Sequence, residues 1–227
     1  MTDQEKEKWN SYLWLSDDNN RYILKNIIGE NKRGTRNIEE LKSAESTITM
    51  KKAVDLIQES LDDKVVDKDR LNAIHRYLFE DIYPFAGEYR KVNMRKVDGV
   101  GAFETIDDQS DIDDKLNELF KKINEMEKEC HDVTDFSGIL AKLYTSLIYI
   151  HPYREGNGRT IREFLREYSL KKSEELGLGQ LELDWEKVDR KDLDEFIDVV
   201  HLFPDSISDL FMSALVSRDK TKMGNSR

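Results

Sequence analysis

The sequence predicts an all-helical protein, and three observations support this prediction. The 227 residues include only 3 prolines and 11 glycines, so few positions interrupt a helix. Apolar residues recur at steps of three and four in several long segments, which is the spacing of one helix face. A single stretch, residues 90–106, departs from this spacing. We therefore expect helices along most of the chain, with one short exception between them.

The predicted helices start near residue 71 and follow one another along the chain. The first carries on one face Leu71, Ile74, Leu78 and Ile82. An acidic run over residues 107–114 is typical of a solvated helix start. The longest apolar face comprises Phe136, Ile139, Leu140, Leu143, Tyr144, Leu147 and Ile148. Two further faces comprise Ile161, Phe164, Leu165 and Tyr168, and then Leu193, Phe196, Ile197 and Val200. Pro204 breaks the chain before a last helix that carries Ile207, Leu210, Phe211 and Leu215.

The exceptional stretch reads "RKVNMRKVDGVGAFETI". Val92 and Met94 alternate with polar residues, and Asp98 followed by Gly99 is a tight-turn dipeptide. Residues 102–106 have the composition of a returning strand. The pattern is compatible with a small β-hairpin and also with a surface loop.

Length and composition limit the class of protein. A chain of 227 residues is long enough for one well-buried core, and we expect a single domain over residues 1–217. Residues 218–227 are polar and lack apolar periodicity, so we expect a disordered tail there. The net charge of -11 argues against a nucleic-acid surface, because phosphate backbones are bound by basic patches.

Targeting signals and cysteine content point to the cytoplasm. No apolar run approaches the roughly 20 residues that a membrane helix needs, so no membrane partner is expected. The first ten residues do not resemble a secretory signal. The single cysteine, Cys130, excludes an internal disulfide and is typical of a cytoplasmic protein, while delivery into another cell as an effector stays open.

The segment "HPYREGNGRTIR", residues 151–162, concentrates the residues with chemical potential. Pro152 should end the preceding helix, which places His151 at a helix exit. We expect the next helix to begin around Arg159 or Thr160, so that "EGNG" leads into a helix N-terminus. Backbone amides without helical partners and the positive end of the helix dipole meet there, which favours anion binding.

Charged side chains in this segment favour a site for nucleotide phosphates and a metal. Arg159 and Arg162 lie three residues apart and can hold phosphate oxygens together. Glu155 would repel phosphates unless a cation such as Mg²⁺ lay between them. A neutral His151 could accept a proton from an attacking hydroxyl. Each residue also has an ordinary role in a loop or on a surface, and their conjunction is what favours a site.

The same segment resembles the signature of the Fic (filamentation induced by cAMP) family, His-Pro-Phe-x-Asp/Glu-Gly-Asn-Gly-Arg-x-x-Arg, except that Tyr153 replaces the usual phenylalanine. A second stretch, "IHRYLFEDIYPFAGEYR", is similar to the helix and turn before the family's flap. The resemblance covers roughly residues 65–200, which leaves residues 1–64 as a helical N-terminal flank. Within this flank the stretch "YLWLSDDNNRYILKN" is similar to the start of single-domain members.

The resemblance implies an all-helical fold with a β-hairpin flap, and transfer of AMP from ATP to a hydroxyl side chain of a target protein. It implies that His151 is the general base and that Glu155 holds Mg²⁺ against the phosphates. The implied anion hole consists of the amides around Gly156, Asn157 and Gly158, with Arg159 near the β-phosphate and Arg162 near the γ-phosphate. The implied target-docking flap residues are Val92, Asn93, Met94, Ala102, Phe103 and Glu104. Glycine at position 158, where the related Doc-like kinases have lysine, favours nucleotide transfer.

Fic proteins are commonly inhibited by a helix with the sequence Ser/Thr-x-x-x-Glu-Gly/Asn. Only Thr35 has a glutamate four residues later, Glu39, and Glu40 follows where glycine or asparagine is usual. The resemblance therefore implies a separate, small antitoxin-like protein as inhibitor. Two alternatives stay open: Fic-type transfer of another group, such as UMP or phosphocholine, and a non-catalytic scaffold that binds nucleotides or peptides.

The remaining histidines have plainer interpretations. His75 lies on an apolar helix face and is interpreted as a packed structural residue. His131 lies beside Cys130, but two adjacent ligands do not make a metal site, and we assign none. His201 is interpreted as a complement to a helix dipole.

Overall fold

The structure, a computed structural model, describes residues 2–14, 23–94, 111–189, 191, 193 and 205–218. These residues form seven α-helices and two small antiparallel sheets, which confirms the all-helical prediction. The helices are α1 (Asp3–Ser11), α2 (Ile38–Gln58), α3 (Lys68–Phe79), α4 (Ile112–Lys128), α5 (Val133–Ile150), α6 (Asn157–Glu175) and α7 (Asp205–Ala214). The strands are β1 (Leu13–Trp14), β2 (Ile23–Leu24), β3 (Leu181–Leu183) and β4 (Leu215–Ser217). Short 3₁₀ helices span Glu30–Lys32 and Trp185–Lys187.

The two sheets each contain two strands. In the first, Leu13 pairs with Leu24 and Trp14 with Ile23. In the second, Leu183 pairs with Leu215, so β4 lies directly beside the segment that follows α6. None of the helices in the described part of the chain is both long enough and apolar enough to cross a membrane.

Helices α5 and α6 form the centre of the core. Most of the predicted face of α5 is buried, with Phe136, Leu140 and Leu147 fully covered, whereas Ile148 is only half-buried. The predicted face of α6 is buried as well. Helix α5 starts at the N-cap Asp132, whose carboxylate accepts from the amides of Thr134 and Asp135. The loop between these two helices is therefore held at both ends by packed elements.

The ends of two elements and the buried face of a third differ from the sequence prediction. Helix α3 ends at Phe79, and Ile82 is buried in the turn that follows it. Helix α4 continues the predicted acidic start with a buried stripe that had not been identified, Leu116 among it. Leu215, predicted on the last helix, belongs to strand β4. In each case local periodicity does not show where tertiary hydrogen bonds begin or end an element.

Several predicted segments lie outside the described residues. Of the predicted hairpin, residues 90–94 are described and lie in neither a helix nor a strand, whereas residues 95–110 are outside. Most of the helix predicted at residues 193–200 is also outside, as are residues 219–227 of the predicted tail. Arg218, the first residue assigned to that tail, donates its amide to the Gln180 carbonyl at 2.8 Å.

Candidate active site

His151 sits at the exit of α5, where Pro152 ends the helix as predicted. Its amide still donates to the Leu147 carbonyl at 2.9 Å, but its backbone is left-handed, with φ 48° and ψ 61°. A residue other than glycine adopts this conformation at a cost of about 1–3 kcal/mol, so the surrounding structure must hold it. Left-handed backbone turns the chain sharply away from α5 and leads it into the motif loop.

Arg90 is the group that holds this exit. It is 1% exposed, and its Nε donates to the His151 carbonyl at 2.8 Å. Its two terminal nitrogens donate to the carbonyls of Val92, at 2.6 Å, and Ile150, at 3.3 Å. Its amide donates to the Pro152 carbonyl at 2.8 Å. Burial lowers the pKa of Arg90, yet an arginine stays protonated, and three carbonyl dipoles solvate the charge. Arg90 thus fixes the start of the predicted flap to the backbone of His151.

Helix α6 begins two to three residues earlier than predicted, at Asn157 and not at Arg159 or Thr160. Gly156 directly precedes it in a left-handed conformation, with φ 80°. A Cβ atom at Gly156 would lie 2.3 Å from the Phe79 ring, so this position requires glycine for both backbone and space. Asn157, Gly158 and Arg159 therefore supply the first-turn amides, which have no partner within the helix. This correction places more of the motif at the helix N-terminus than the sequence indicated.

The Asn157 side chain braces the loop. Its amide nitrogen donates to the Tyr153 carbonyl at 2.7 Å, and its oxygen accepts from the Tyr153 amide at 2.9 Å. The Tyr153 ring is fully buried, and its hydroxyl donates to Asn72 on α3 at 3.0 Å. The hydroxyl that distinguishes Tyr153 from the usual phenylalanine therefore has a partner inside the protein, and burial raises its pKa well above the ordinary value.

His75 connects α3 to the same loop. Its ring stacks on Tyr153 with the centroids 3.7 Å apart. Its Nε2 lies 3.0 Å from the Glu155 carbonyl, and its Nδ1 accepts from the Gly87 amide at 2.8 Å. A carbonyl can only accept, so Nε2 carries the proton and the ring is neutral. Burial lowers the pKa of His75 to about 4, in agreement with this tautomer and with the structural role inferred from the sequence.

Two charged groups of the motif, Glu155 and Arg159, lie close together at the start of α6. The Glu155 carboxylate accepts from the Gly156 amide at 3.0 Å and lies 3.8 Å from Nη2 of Arg159. The Arg159 guanidinium lies 4.9 Å from the centre of the Phe79 ring and pairs with Glu45 of α2. Arg162 is exposed one turn further along α6.

The two arginines line one groove of about 660 Å³ between α2, α6 and the segment after β3. Its walls include Met50 and Ala53 of α2 and Trp185. Among the described residues, His151, Glu155 and Gly156 do not line this groove. The structure thus brings the arginines together on one surface, with the loop that carries His151 and Glu155 at the beginning of the same helix.

The predicted flap residues are only partly described. The side chain of Val92 is 3% exposed, so it is packed in the core and only its backbone remains for pairing. Asn93 is exposed and Met94 is half-buried. The other predicted flap residues, Ala102, Phe103 and Glu104, lie outside the described residues.

Sequence reasoning missed several residues that shape the site, chiefly Arg90, Tyr83 and Glu45. A signal for Glu45 does exist, because Leu41, Thr49 and Leu56 are the buried residues of α2 and Glu45 shares their helical spacing. A charged residue on an otherwise buried stripe needs a buried partner. Arg90 gave no comparable signal, since its partners are all backbone carbonyls.

Comparison with known proteins shows which family the motif-bearing residues match. A sequence model described as the Fic/DOC family matches residues 65–169. Protein adenylyltransferase VbhT from Bartonella schoenbuchensis is 29% identical over 190 residues, which cover 83% of this chain and 36% of VbhT. This chain therefore spans about a third of the length of that relative.

Solved structures share the fold across nearly the whole chain. One is the N-terminal Fic domain of a Bep effector protein from Bartonella quintana with bound ADP, with a TM-score of 0.74, 22% identity, and coverage of 92% of this chain and 96% of the other. Another is the BepC protein from Bartonella tribocorum with bound AMPPNP, with a TM-score of 0.68, 20% identity, and coverage of 92% and 98%. With the motif intact and the helical fold around it, residues 65–169 of this chain match the Fic/DOC family.

Proposed function

We propose that this protein is a protein adenylyltransferase, which transfers AMP from ATP to a hydroxyl group of a target protein. The observation that carries the proposal is the start of α6, where first-turn amides and Arg159 follow directly on the loop of His151 and Glu155. The relative VbhT is named a protein adenylyltransferase, and the two Bartonella structures contain ADP and AMPPNP. The family match over residues 65–169 and these names support the same reaction for this chain.

In the proposed reaction the oxygen of a Ser, Thr or Tyr hydroxyl bonds to the α-phosphorus of ATP. The bond from that phosphorus to the bridging oxygen breaks, diphosphate leaves, and the hydroxyl proton passes to neutral His151. The amides of Asn157 and Gly158, with Arg159 and Arg162, stabilise the negative charge on the departing diphosphate. The Gly156 amide would join them once Glu155 turns to the metal and releases it. Arg90 contributes by fixing the His151 backbone.

The site suits a Mg²⁺ ion that is held largely by the nucleotide. Glu155 offers a carboxylate that is 40% exposed, and the described residues contain no group of three or more metal-ligating side chains. Mg²⁺ commonly takes one or two carboxylates together with phosphate oxygens and water, so a single glutamate fits. When bound, the ion would neutralise charge on the phosphates. Glu155 would hold it there and give up its contact with Arg159.

The flap is the proposed docking element for the target. An extended target segment would add to the backbone of residues 92–94 and 102–104 by main-chain hydrogen bonds. The buried side chain of Val92 and its carbonyl bond to Arg90 support a fixed backbone at this point. Selection of the modified hydroxyl would then depend on backbone register more than on side-chain pockets.

A separate, small antitoxin-like protein is the proposed inhibitor. Its glutamate would pair with Arg162, which is exposed on the groove beside α2. Glu39 is the glutamate in the partial match to the inhibitory motif within this chain. Its side chain is 75% exposed and pairs with Lys42 on the surface. This position supports an inhibitor in trans. The Bep neighbours are described as VirB-translocated effector proteins, which supports delivery of this protein into another cell.

The first test replaces the proposed base. His151→Ala should abolish transfer of labelled AMP from α-labelled ATP to proteins of a cell lysate, because no group then accepts the hydroxyl proton. Binding of AMPPNP, measured by calorimetry, should change less than about threefold, since a base contributes little to ground-state binding. His131→Ala, at an exposed histidine, is the matched control and should behave as wild type. Half or more of the wild-type transfer rate in His151→Ala would exclude this role.

A second test concerns the metal. Glu155→Gln should lower the transfer rate at low Mg²⁺ by about tenfold or more, and raising Mg²⁺ should recover part of the loss, because mass action offsets a weaker ligand. The measurement is the initial rate of AMP transfer across a Mg²⁺ titration. If wild-type transfer proceeds equally well in excess chelator, the metal role of Glu155 is wrong.

A further inference from the structure

Glu45 lies on α2, outside the residues that match the family. Its side chain is 16% exposed, on the same stripe as buried Leu41 and Thr49. Placing a carboxylate there costs free energy unless hydrogen bonds and opposite charge compensate. Glu45 therefore needs hydrogen-bond donors or a positive charge close to its carboxylate.

The carboxylate of Glu45 has two partners, one on each oxygen. Oε1 accepts from Nη2 of Arg159, and Oε2 accepts from the hydroxyl of Tyr83. Burial, and next the neighbouring Glu45, raises the pKa of Tyr83 above its ordinary value, so the phenol remains a donor. Thr49 adds to the clamp, since its hydroxyl lies 3.4 Å from Nη1 of Arg159 and donates to the Glu45 carbonyl at 2.8 Å.

Helix α2 is itself fixed relative to the site. Nζ of Lys52 lies 2.7 Å from the Tyr77 carbonyl, 2.7 Å from the carboxylate of Asp81 and 3.1 Å from that of Glu80. These contacts join the middle of α2 to the end of α3, where Phe79 presents its ring to Arg159. Glu45 is thus carried by an element that packing and ion pairs hold in place.

We propose that Glu45 is a positioning residue for nucleotidyl transfer, which acts by holding the Arg159 guanidinium over Phe79. The inference rests on the proposed function and extends it beyond the motif to α2. Glu45 engages Nη2 and Thr49 engages Nη1, each through one N–H. A guanidinium has five N–H donors in a fixed plane, so the others keep a set direction. Because Arg159 is already held in one rotamer, its remaining N–H groups can bind the phosphates without further loss of side-chain entropy.

Orientation should matter most for the rate of transfer. Fixed donors stabilise charge that develops on the leaving diphosphate, whereas a mobile arginine can still attract bound phosphates. Glu45→Gln keeps the size of the side chain but removes its charge. We expect the maximal transfer rate to fall about tenfold and the KM for ATP to change less than about threefold. A carboxylate that merely competed with phosphate would have the opposite effect, because its removal would raise the rate.

The test is a double-mutant cycle in the full chain. Wild type, Glu45→Gln, Arg159→Ala and the double variant are compared by AMP transfer from α-labelled ATP to lysate protein over a range of ATP concentrations. Glu45→Gln should cost about tenfold with Arg159 present and less than twofold in the Arg159→Ala background, since Glu45 acts through Arg159. Glu39→Gln, at an exposed position of the same helix, is the control and should change nothing. Equal losses in both backgrounds, or a faster Glu45→Gln variant, would overturn the proposal.

A readout without turnover separates this proposal from the proposed function. An immobilised guanidinium gives separate ¹⁵N signals for its two terminal nitrogens, which can be assigned to Arg159 by comparison with Arg159→Lys. These signals should be present in wild type and lost in Glu45→Gln. If wild type transfers no AMP, the adenylyltransferase proposal fails, and the NMR result alone decides whether Glu45 holds Arg159. If Glu45→Gln does not fold, Glu45→Asp replaces it in both experiments. The shorter side chain draws the carboxylate back from Arg159 by one methylene, so the transfer rate and the two signals should be lost in the same way. A Glu45→Asp protein that behaves as wild type would overturn the proposal.

Discussion

His75 joins the motif loop to the turn before the flap through two hydrogen bonds that require a neutral ring. Nε2 donates to the Glu155 carbonyl and Nδ1 accepts from the Gly87 amide. Protonation of Nδ1 would turn that acceptor into a donor facing an N–H group. The positive charge of nearby Arg159 also disfavours a protonated His75 ring. The stability of the protein should therefore depend on the protonation of this histidine.

The first prediction at this scale is a loss of stability in mild acid that depends on His75. Burial lowers the folded-state pKa to about 4 from the ordinary 6.5. Between these two values the unfolded chain binds a proton that the folded chain does not, so the free energy of unfolding falls as pH drops from 6.5 to 4. The full effect is about 3 kcal/mol. Urea unfolding at pH 7 and at pH 4.5 measures this loss. Between these two pH values the free energy of unfolding of His75→Gln should fall by about 2–3 kcal/mol less than that of wild type.

The control for this experiment is His131→Gln, at an exposed histidine. Carboxylates with lowered pKa, such as that of Asp113, also lose stabilising contacts in acid, and their contribution is common to all three proteins. The pH dependence of His131→Gln should therefore match wild type. If His75→Gln also matches wild type, the buried ring titrates at its ordinary pKa and the assigned tautomer is wrong.

Residue-scale chemistry was predictable where the chemistry is local to the chain. Pro152 ending α5 follows from steric exclusion of the residue before a proline, and the spacing of Arg159 and Arg162 follows from helix geometry. The left-handed backbone of His151 could not be predicted, because buried Arg90 stabilises it from a distant part of the sequence. For the same reason the Asn72 partner of the Tyr153 hydroxyl was not foreseen.

At the scale of elements, the site depends on where α6 begins. The sequence placed this start at Arg159 or Thr160, because glycine and asparagine are poor helix formers. In the structure Asn157 enters the first turn, since its side chain bonds to the Tyr153 backbone and Gly156 supplies the left-handed step before it. Tertiary bonds thus extend the helix into a segment that propensity assigns to the loop.

The prediction for the start of α6 compares Gly156, which precedes the helix, with Gly158 in its first turn. Gly156→Ala should lower the free energy of unfolding by about 2–4 kcal/mol, because it combines left-handed strain with overpacking against Phe79. It should also slow AMP transfer at least tenfold, since the loop must shift. Urea unfolding and the transfer assay measure the two effects.

Gly158→Ala is the matched control on the same helix. A Cβ there would meet only the mobile end of Arg162, at 3.4 Å, and its backbone is not left-handed. Its stability should stay within about 1 kcal/mol of wild type, because alanine favours a helix. A Gly156→Ala protein as stable as Gly158→Ala would show that the loop has another conformation of equal energy.

Across the whole molecule, the N-terminal flank reaches the motif at separate points. Trp9 of α1 lies 4.9 Å from the guanidinium of Arg154, and the Tyr12 hydroxyl accepts from the Lys91 amide at the start of the flap. Glu45 holds Arg159 from α2. Periodicity alone cannot reveal such contacts, because they join residues that lie far apart in the sequence. The sequence thus predicts a candidate site from the motif alone, whereas the contacts between the flank and that motif required the tertiary structure.

The last prediction tests whether the flank and the core form one cooperative unit. Tyr12 is 5% exposed and packs edge-on against Phe85, and Ile23 is 4% exposed in the same core. Removal of residues 2–36 exposes the surfaces that these side chains cover, at about 1.5–3 kcal/mol for each. In a chain of this size 1 kcal/mol corresponds to about 2–4 °C, so Tm should fall by about 10 °C or more in scanning calorimetry. Removal of residues 219–227, the predicted tail, is the control and should leave Tm unchanged. A shift below about 2 °C after removal of residues 2–36 would mean that the flank does not stabilise the core, because its loss would then uncover no surface that folding had buried.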